Sequence, residues 1–181
     1  GANDARGMSL YITSAGVLHA DYAFVADVNS GYTLNTGTWY HVALIRNSGT
    51  SQLYVNGVAR GSTSSSTPNT PGSGDYTTLG GWTSSGETTS DLFNGVIDDV
   101  RFYSRAITTG ELSTLVSNAG IYPSTDIDST NLTGWWKADE SSGNLTDSSA
   151  TGYNLTNTGS ASFVTGIVPS GTESGATVVI N

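Results

Sequence analysis

The sequence predicts an all-β protein with one short helix, and three observations carry that prediction. Ser and Thr supply 52 of 181 residues and Gly another 23, a mixture that suits strands joined by turns and suits helices badly. Short runs rich in β-branched and aromatic residues recur along the sequence, each bounded by Gly, Asn, Ser or Pro. A single segment carries the chemistry of a helix start. The length allows one sizeable core or two small ones. Four Trp, nine Tyr and four Phe in repeated apolar runs argue against disorder.

Residues 1–7 read as a loop. Residues 8–13 and 17–26 read as a hairpin around Ser14-Ala15-Gly16. His19 and Asp21 alternate with apolar positions there and are expected to face solvent. Asn29-Ser30-Gly31 reads as a turn. Residues 39–46 form a strong strand with neither face very polar, which places it centrally in a sheet. His41 inside it reads as a packed or hydrogen-bonded histidine, since no Ser or Cys nucleophile accompanies it. Asn47-Ser48-Gly49-Thr50 and Asn56-Gly57 are turns around a strand at 52–55. Residues 62–74 are a polar surface loop. Residues 76–80 are a short strand, and 81–90 a second polar loop holding Trp82.

Residues 92–103 hold a turn at Asn94-Gly95 and then a strand, 96–103, with Asp98, Asp99 and Arg101 set inside it. Acids in a buried strand need a partner, because an unpaired buried carboxylate is costly. By strand alternation the two acids point to opposite faces. Thr108 and Glu111 have capping-box spacing, followed by Leu112, Leu115 and Val116 on one helical face. Residues 119–131 read as a linker. Strands follow at 132–138, 153–156, 163–168 and 176–180, with polar turns at 139–144 and 147–152.

The net charge is −9 and the six basic residues are scattered. A nucleic-acid footprint and an anionic membrane surface both need clustered Lys and Arg, so neither is expected as a partner. There is no Cys, which excludes disulfides and thiolate metal sites. No apolar run approaches the ~20 residues of a membrane-spanning helix. No signal peptide is visible, and the sequence opens on Gly1 rather than Met, as a processed protein or a fragment would. Asn131, Asn144 and Asn154 each begin an Asn-Leu-Thr glycosylation pattern, which matters only in a eukaryotic secretory setting.

Three pieces carry a family resemblance. Gly37-Thr38-Trp39-Tyr40-His41-Val42-Ala43-Leu44 is followed by Leu53-Tyr54-Val55-Asn56-Gly57. Residues 93–108 run Phe-Asn-Gly-Val-Ile-Asp-Asp-Val-Arg-Phe-Tyr-Ser-Arg-Ala-Ile-Thr. Glu111-Leu112 then opens the helix. Together, residues 38–112 resemble the laminin-G-like jelly-roll domains of the concanavalin A-like lectin and glucanase superfamily. The resemblance implies an antiparallel two-sheet jelly-roll sandwich. Gly134-Trp135-Trp136-Lys137-Ala138-Asp139-Glu140-Ser141-Ser142-Gly143 with Thr146-Asp147-Ser148-Ser149 is similar to that family's opening motif, yet here it follows the other pieces. The expected organisation is therefore residues 1–118 as the C-terminal part of such a jelly roll, 119–131 as linker, and 132–181 as an N-terminal part. That last part either completes the same sandwich in permuted order or begins a tandem repeat; alone it would leave open edges and too small a core.

For chemistry, the resemblance implies a structural calcium between the Asp147 loop and Asp98, with Asn154 as a weaker ligand. Carboxylates and amide oxygens suit that hard cation. Ala150-Thr151 stands where the family often has Gly-Asn. The competing reading pairs Asp98 with Arg101, Arg105 or loop amides. Glycosidase chemistry needs two carboxylates flanking one bond, and the four Glu are dispersed through loops, a cap and a turn, so no catalytic residues are expected. Trp82, with Asp91 and Asn94 nearby, is the candidate stacking platform for a glycan. The resulting expectation is a non-catalytic structural or adhesion module, extracellular, cell-surface or on a virion. Its partner would be a glycan, a neighbouring protein surface or other copies of the domain. The alternatives are a glycan-binding lectin-like module and, less favoured, a hydrolase of the same fold.

Overall fold

A computed structural model describes residues 8–21, 27–67, 77–81, 91–118, 127, 129–158, 161–164 and 178–180. Among the described residues, nine strands and one helix run in the order β1 (Ser9–Ile12), β2 (Val17–Asp21), β3 (Asp27–Thr33), β4 (Val42–Asn47), β5 (Thr50–Val55), β6 (Val58–Ser64), β7 (Val100–Tyr103), α1 (Thr109–Ser117), β8 (Leu132–Trp136) and β9 (Val178–Ile180). A single 3₁₀ turn, Ser129–Asn131, leads into β8. The strands form a three-stranded sheet, β1-β2-β3, and a six-stranded sheet, β6-β5-β4-β9-β7-β8. The fold is an all-β sandwich with one helix, as the jelly-roll reading requires.

Two apolar clusters hold the large sheet, one on each face. Leu18, Ala20 and Val28 of the small sheet pack against Val42, Leu44, Leu53 and Val55. On the opposite face Ala43 and Ile45 meet Tyr103, Ile107, Leu132 and the helix residues Leu112 and Leu115. That is why Val42-Ala43-Leu44-Ile45 is buried on both sides, and why neither face of this strand is polar in sequence. The helix opens on the expected capping box: Thr108 Oγ1 accepts from the Glu111 amide, and the Glu111 carboxylate accepts from the Thr108 amide. Arg105 grips the same carboxylate in a bidentate pair.

The sheets also touch at β6. Gly61 has φ +69 and lies against the Asn29 carbonyl oxygen so closely that a Cβ there could not fit. Arg60 covers the Tyr32 ring at 4.3 Å.

Several elements differ from the sequence reading. Asn29-Ser30-Gly31 lies within β3. The Asn29 carboxamide accepts from the Gly31 amide and Ser30 Oγ from the Tyr32 amide, so side groups answer the turn-like residues without ending the strand. The strand expected from residue 96 begins only at Val100, because Asp99 takes a left-handed φ of 49° that extended backbone does not allow. Of the strands expected at 76–80 and 163–168, the described residues 77–80 and 163–164 are not strand and the rest lie outside the described residues, and Leu155 makes only an isolated bridge to Leu145. β6 runs through Ser64, into the segment read as loop. β9 is parallel to both β4 and β7, within an otherwise antiparallel sheet. His19 is not a plain solvent-facing residue: its Nδ1 lies 2.7 Å from Asp27 Oδ1 across the β2–β3 pair.

Candidate functional site

The residues with most chemical potential converge on Trp135, at the outer edge of the large sheet. β8 pairs antiparallel with β7, setting Arg101 opposite Trp135 and Phe102 opposite Gly134. A register irregularity between Phe102 and Tyr103 lets Tyr103 pair with Leu132, leaving Thr133 over.

Asp99 is the buried acid of the doublet, only 2 % exposed. Its Oδ1 accepts from Arg101 Nε at 2.8 Å and from the Trp135 indole N–H at 2.7 Å. Arg101 is equally buried, and its guanidinium lies 4.4 Å from the centre of the Trp135 ring. The Lys137 ammonium lies at the same distance from that ring. Two of the protein's six cations thus serve one indole. Two residues past Lys137, partial desolvation of the exposed Asp139 carboxyl raises its pKa, with Lys137 opposing and Glu140 and Asp99 adding to the rise.

Asp147 holds Trp135 from the other side. Its Oδ1 accepts from the Trp135 amide at 2.9 Å and the Ser149 amide at 2.8 Å. Its Oδ2 accepts from Ser149 Oγ, Thr151 Oγ1 and the Tyr153 amide, at 2.9, 2.8 and 2.8 Å. Burial pushes this carboxyl up, but the Ser149 and Trp135 amides and the two hydroxyls outweigh it and hold its pKa at about 2. The loop also takes up ladder groups of β8. The Ser148 amide donates to the Trp135 carbonyl, and Thr151 Oγ1, whose one proton is directed at Asp147, lies 2.9 Å from the Thr133 carbonyl. An edge strand presents unpaired N–H and C=O groups, and this loop closes that edge.

A calcium ion would need the oxygens these donors already occupy. A carboxylate offers about four lone-pair sites, and Asp147 receives five N–H and O–H groups. Asn154 Oδ1 accepts from the Asp147 amide at 2.9 Å, so it too is turned onto a donor. Asp98 is half-buried and is not without a partner. Among the described residues no group of three or more His, Asp or Glu is arranged to hold a metal. The Asp147 and Asn154 side-chain oxygens are thus each turned onto donors of their own loop and of β8. Trp82 lies outside the described residues. Asp91 and Asn94 are exposed in a segment without strand structure, with Asp91 at φ 51°.

His41 lies behind the cluster. It is fully buried, and neither ring nitrogen has a hydrogen-bond partner among the described residues. Burial, and then the Arg101 charge, lower its pKa to about 3, so the ring is neutral near neutral pH.

Two shallow clefts open nearby. One, of about 320 Å³, is lined by Arg46, Ser48, Tyr103, Ser104 and Arg105. The other, of about 300 Å³, is lined by Thr77, Phe102, Thr133, Trp136, Tyr153 and Leu155. Neither lining includes a carboxylate. Sequence reasoning found Asp147 but assigned the strand's role to Asp98, because alternation alone does not reveal the left-handed residue that turns Asp99 inward. The doublet Trp135-Trp136 opposite an Asp-x-Arg was the available signal: an indole N–H drawn into a sheet needs an acceptor.

The family model described as Concanavalin A-like lectin/glucanases superfamily, of laminin-G type, matches residues 2–113, well over half of the protein. The match ends before β8. No curated protein matches. Among solved structures, an S-layer domain-containing protein (residues 221–444) from Clostridium thermocellum ATCC 27405 is similar at 22 % identity and a TM-score of 0.37. The similarity covers 60 % of this protein and 63 % of that one.

Proposed function

The protein belongs to the concanavalin A-like lectin/glucanases superfamily, and on that premise we propose that it is a non-catalytic structural or adhesion module working outside the cell or on a virion. One observation carries the reading: the two buried acids, Asp99 and Asp147, are consumed by the fold. Asp99 is tied to Arg101 and Trp135, and Asp147 to five donors. A glycosidase needs one carboxyl held protonated beside a second that stays ionised. A pKa of about 2 removes Asp147 from the acid's role. The Cys-free, acidic, Ser- and Thr-rich composition suits an exterior setting. The β7–β8 pairing supports residues 132–181 as a permuted completion of the same sandwich.

The test is hydrolysis of a panel of α- and β-glucans by the wild-type protein and by the Asp99→Asn and Asp147→Asn variants. No turnover above buffer is expected from any of them. Turnover by the wild type that either substitution abolishes, with the fold intact by circular dichroism, would overturn the reading.

A further inference from the structure

Two Asn-Gly pairs occur in the sequence, in nearly the same local setting: Val55-Asn56-Gly57-Val58 and Phe93-Asn94-Gly95-Val96. We propose that Asn94 is a spontaneous deamidation site and that the fold protects Asn56 from the same reaction. In that reaction the Gly backbone nitrogen loses its proton to water or hydroxide and attacks the Asn carboxamide carbon. A new bond forms between that nitrogen and that carbon, the carboxamide carbon parts from its own nitrogen, and ammonia leaves. Water then opens the resulting five-membered imide to aspartate or isoaspartate. Nothing is oxidised or reduced. Glycine favours the step because no Cβ crowds the attacking nitrogen.

The two sites differ in how firmly the reacting atoms are held. Asn56 sits in the turn between β5 and β6, pinned on both sides by the Val55–Val58 pair. Asn56 and Gly57 have φ of 50° and 75°, the conformation of a type I′ hairpin turn. The Asn56 carboxamide oxygen accepts from the His41 amide at 2.8 Å, and the Asn56 backbone amide donates to the His41 carbonyl at 2.8 Å. Swinging the carboxamide carbon onto the Gly57 nitrogen breaks the first bond and opens the turn that holds the second.

Asn94 has no such hold. It and Gly95 are exposed, they lie outside any strand, and among the described residues neither makes a hydrogen bond. The one backbone bond nearby runs from the Phe93 amide to the Gly80 carbonyl, at 2.8 Å. It leaves the Asn94 carboxamide and the Gly95 nitrogen at liberty to meet. The product would place a new negative charge between Asp91 and Asp98, in a protein already at −9. It would lie among the exposed residues Leu92, Phe93 and Val96.

The experiment incubates the intact protein for days in warm, mildly alkaline buffer, with a parallel sample in concentrated urea. Peptide mass spectrometry follows the gain of one mass unit at each Asn, and methyltransferase labelling detects isoaspartate. In the native protein the Asn94 peptide is expected to convert about tenfold or more faster than the Asn56 peptide, since two hydrogen bonds guard Asn56. In urea the two rates should come within a few-fold of each other. Asn94→Gln should abolish most native isoaspartate while leaving the melting temperature unchanged. Equal native rates, or no native conversion at Asn94, would overturn the site. An unchanged ratio in urea would overturn the protective role of the fold.

Discussion

The two halves of the six-stranded sheet are held by different physics. In the β4–β5 half, β4 is buried on both faces by largely apolar residues and β5 on one, with Leu44 and Leu53 wholly inaccessible. The β7–β8 half holds a buried ion pair, a half-buried cation-stacked indole and a buried carboxylate ringed by donors. The first half is forgiving of chemistry and sensitive to volume. The second is sensitive to chemistry, because each buried charge depends on its partner. Strand order explains the contrast. β4 is interior to the sheet, between the small sheet and the helix, whereas β8 is an edge that must satisfy its backbone through the Asp147 loop.

The largest effect is expected from breaking the charged half. Asp99→Ala leaves Arg101 buried without this carboxylate and should cost about 3–5 kcal/mol in urea unfolding. Adding Arg101→Met to it should recover most of the loss; a double variant no better than the single one would mean the ion pair itself stabilises the sheet. In the apolar half, Leu44→Ala should cost about 3 kcal/mol by the same measurement. A loss below about 1 kcal/mol would show that this half collapses around the cavity. Asp147→Ala should cost about 2–3 kcal/mol and speed hydrogen exchange at the Trp135, Ser149 and Tyr153 amides, while amides of β4 and β5 keep their protection. A chelator should leave the melting temperature unchanged, as the donors around Asp147 imply; a drop would restore calcium to the site.

Acid sharpens the comparison further. Asp147 and Glu111 are held near a pKa of about 2 in the folded state, below the unfolded carboxylate range. The unfolded state therefore takes up protons first. The stability these groups contribute is complete above about pH 4 and is lost as pH falls toward 2. For Asp147 that amounts to about 2 kcal/mol. His41 shifts downward too, to about 3, so its unfolded form protonates below about pH 6.5 while the folded form does not. Stability should fall by up to about 1.4 kcal/mol per pH unit between about pH 6 and 4. The smallest effect at neutral pH is that of His41→Leu. It removes two unpartnered nitrogens and should leave stability within about 1 kcal/mol of wild type, yet flatten the slope between about pH 6 and 4. A slope that persists in this variant would place the titrating group elsewhere.

Much of this was legible in the sequence. The capping box at Thr108 and Glu111 was readable because both partners lie within one turn. The turns at Asn47–Thr50 and at Asn56-Gly57 were readable from residues that tolerate positive φ. Asp147 stood out as an acid in a Ser-rich loop. The role of Asp99 was not legible, since its backbone turns left-handed where a strand was expected and its indole partner, Trp135, lies 36 residues away. β3 was hidden because Asn29 and Ser30 satisfy their own neighbours while the backbone stays extended.

By itself the sequence determined the class of the protein, the turns that flank β5, the helix α1 and the strip of β4 that must be buried on both sides. These follow from local propensity and from the period of apolar residues, which act over a few residues. Only the tertiary structure decided which carboxylate is buried, what each one binds, and that β8 lies beside β7 after a long connection. It also decided that two nearly identical Asn-Gly-Val sequences are held differently. Each of those outcomes depends on donors, acceptors and edges brought together from distant parts of the molecule, and no local pattern encodes that proximity.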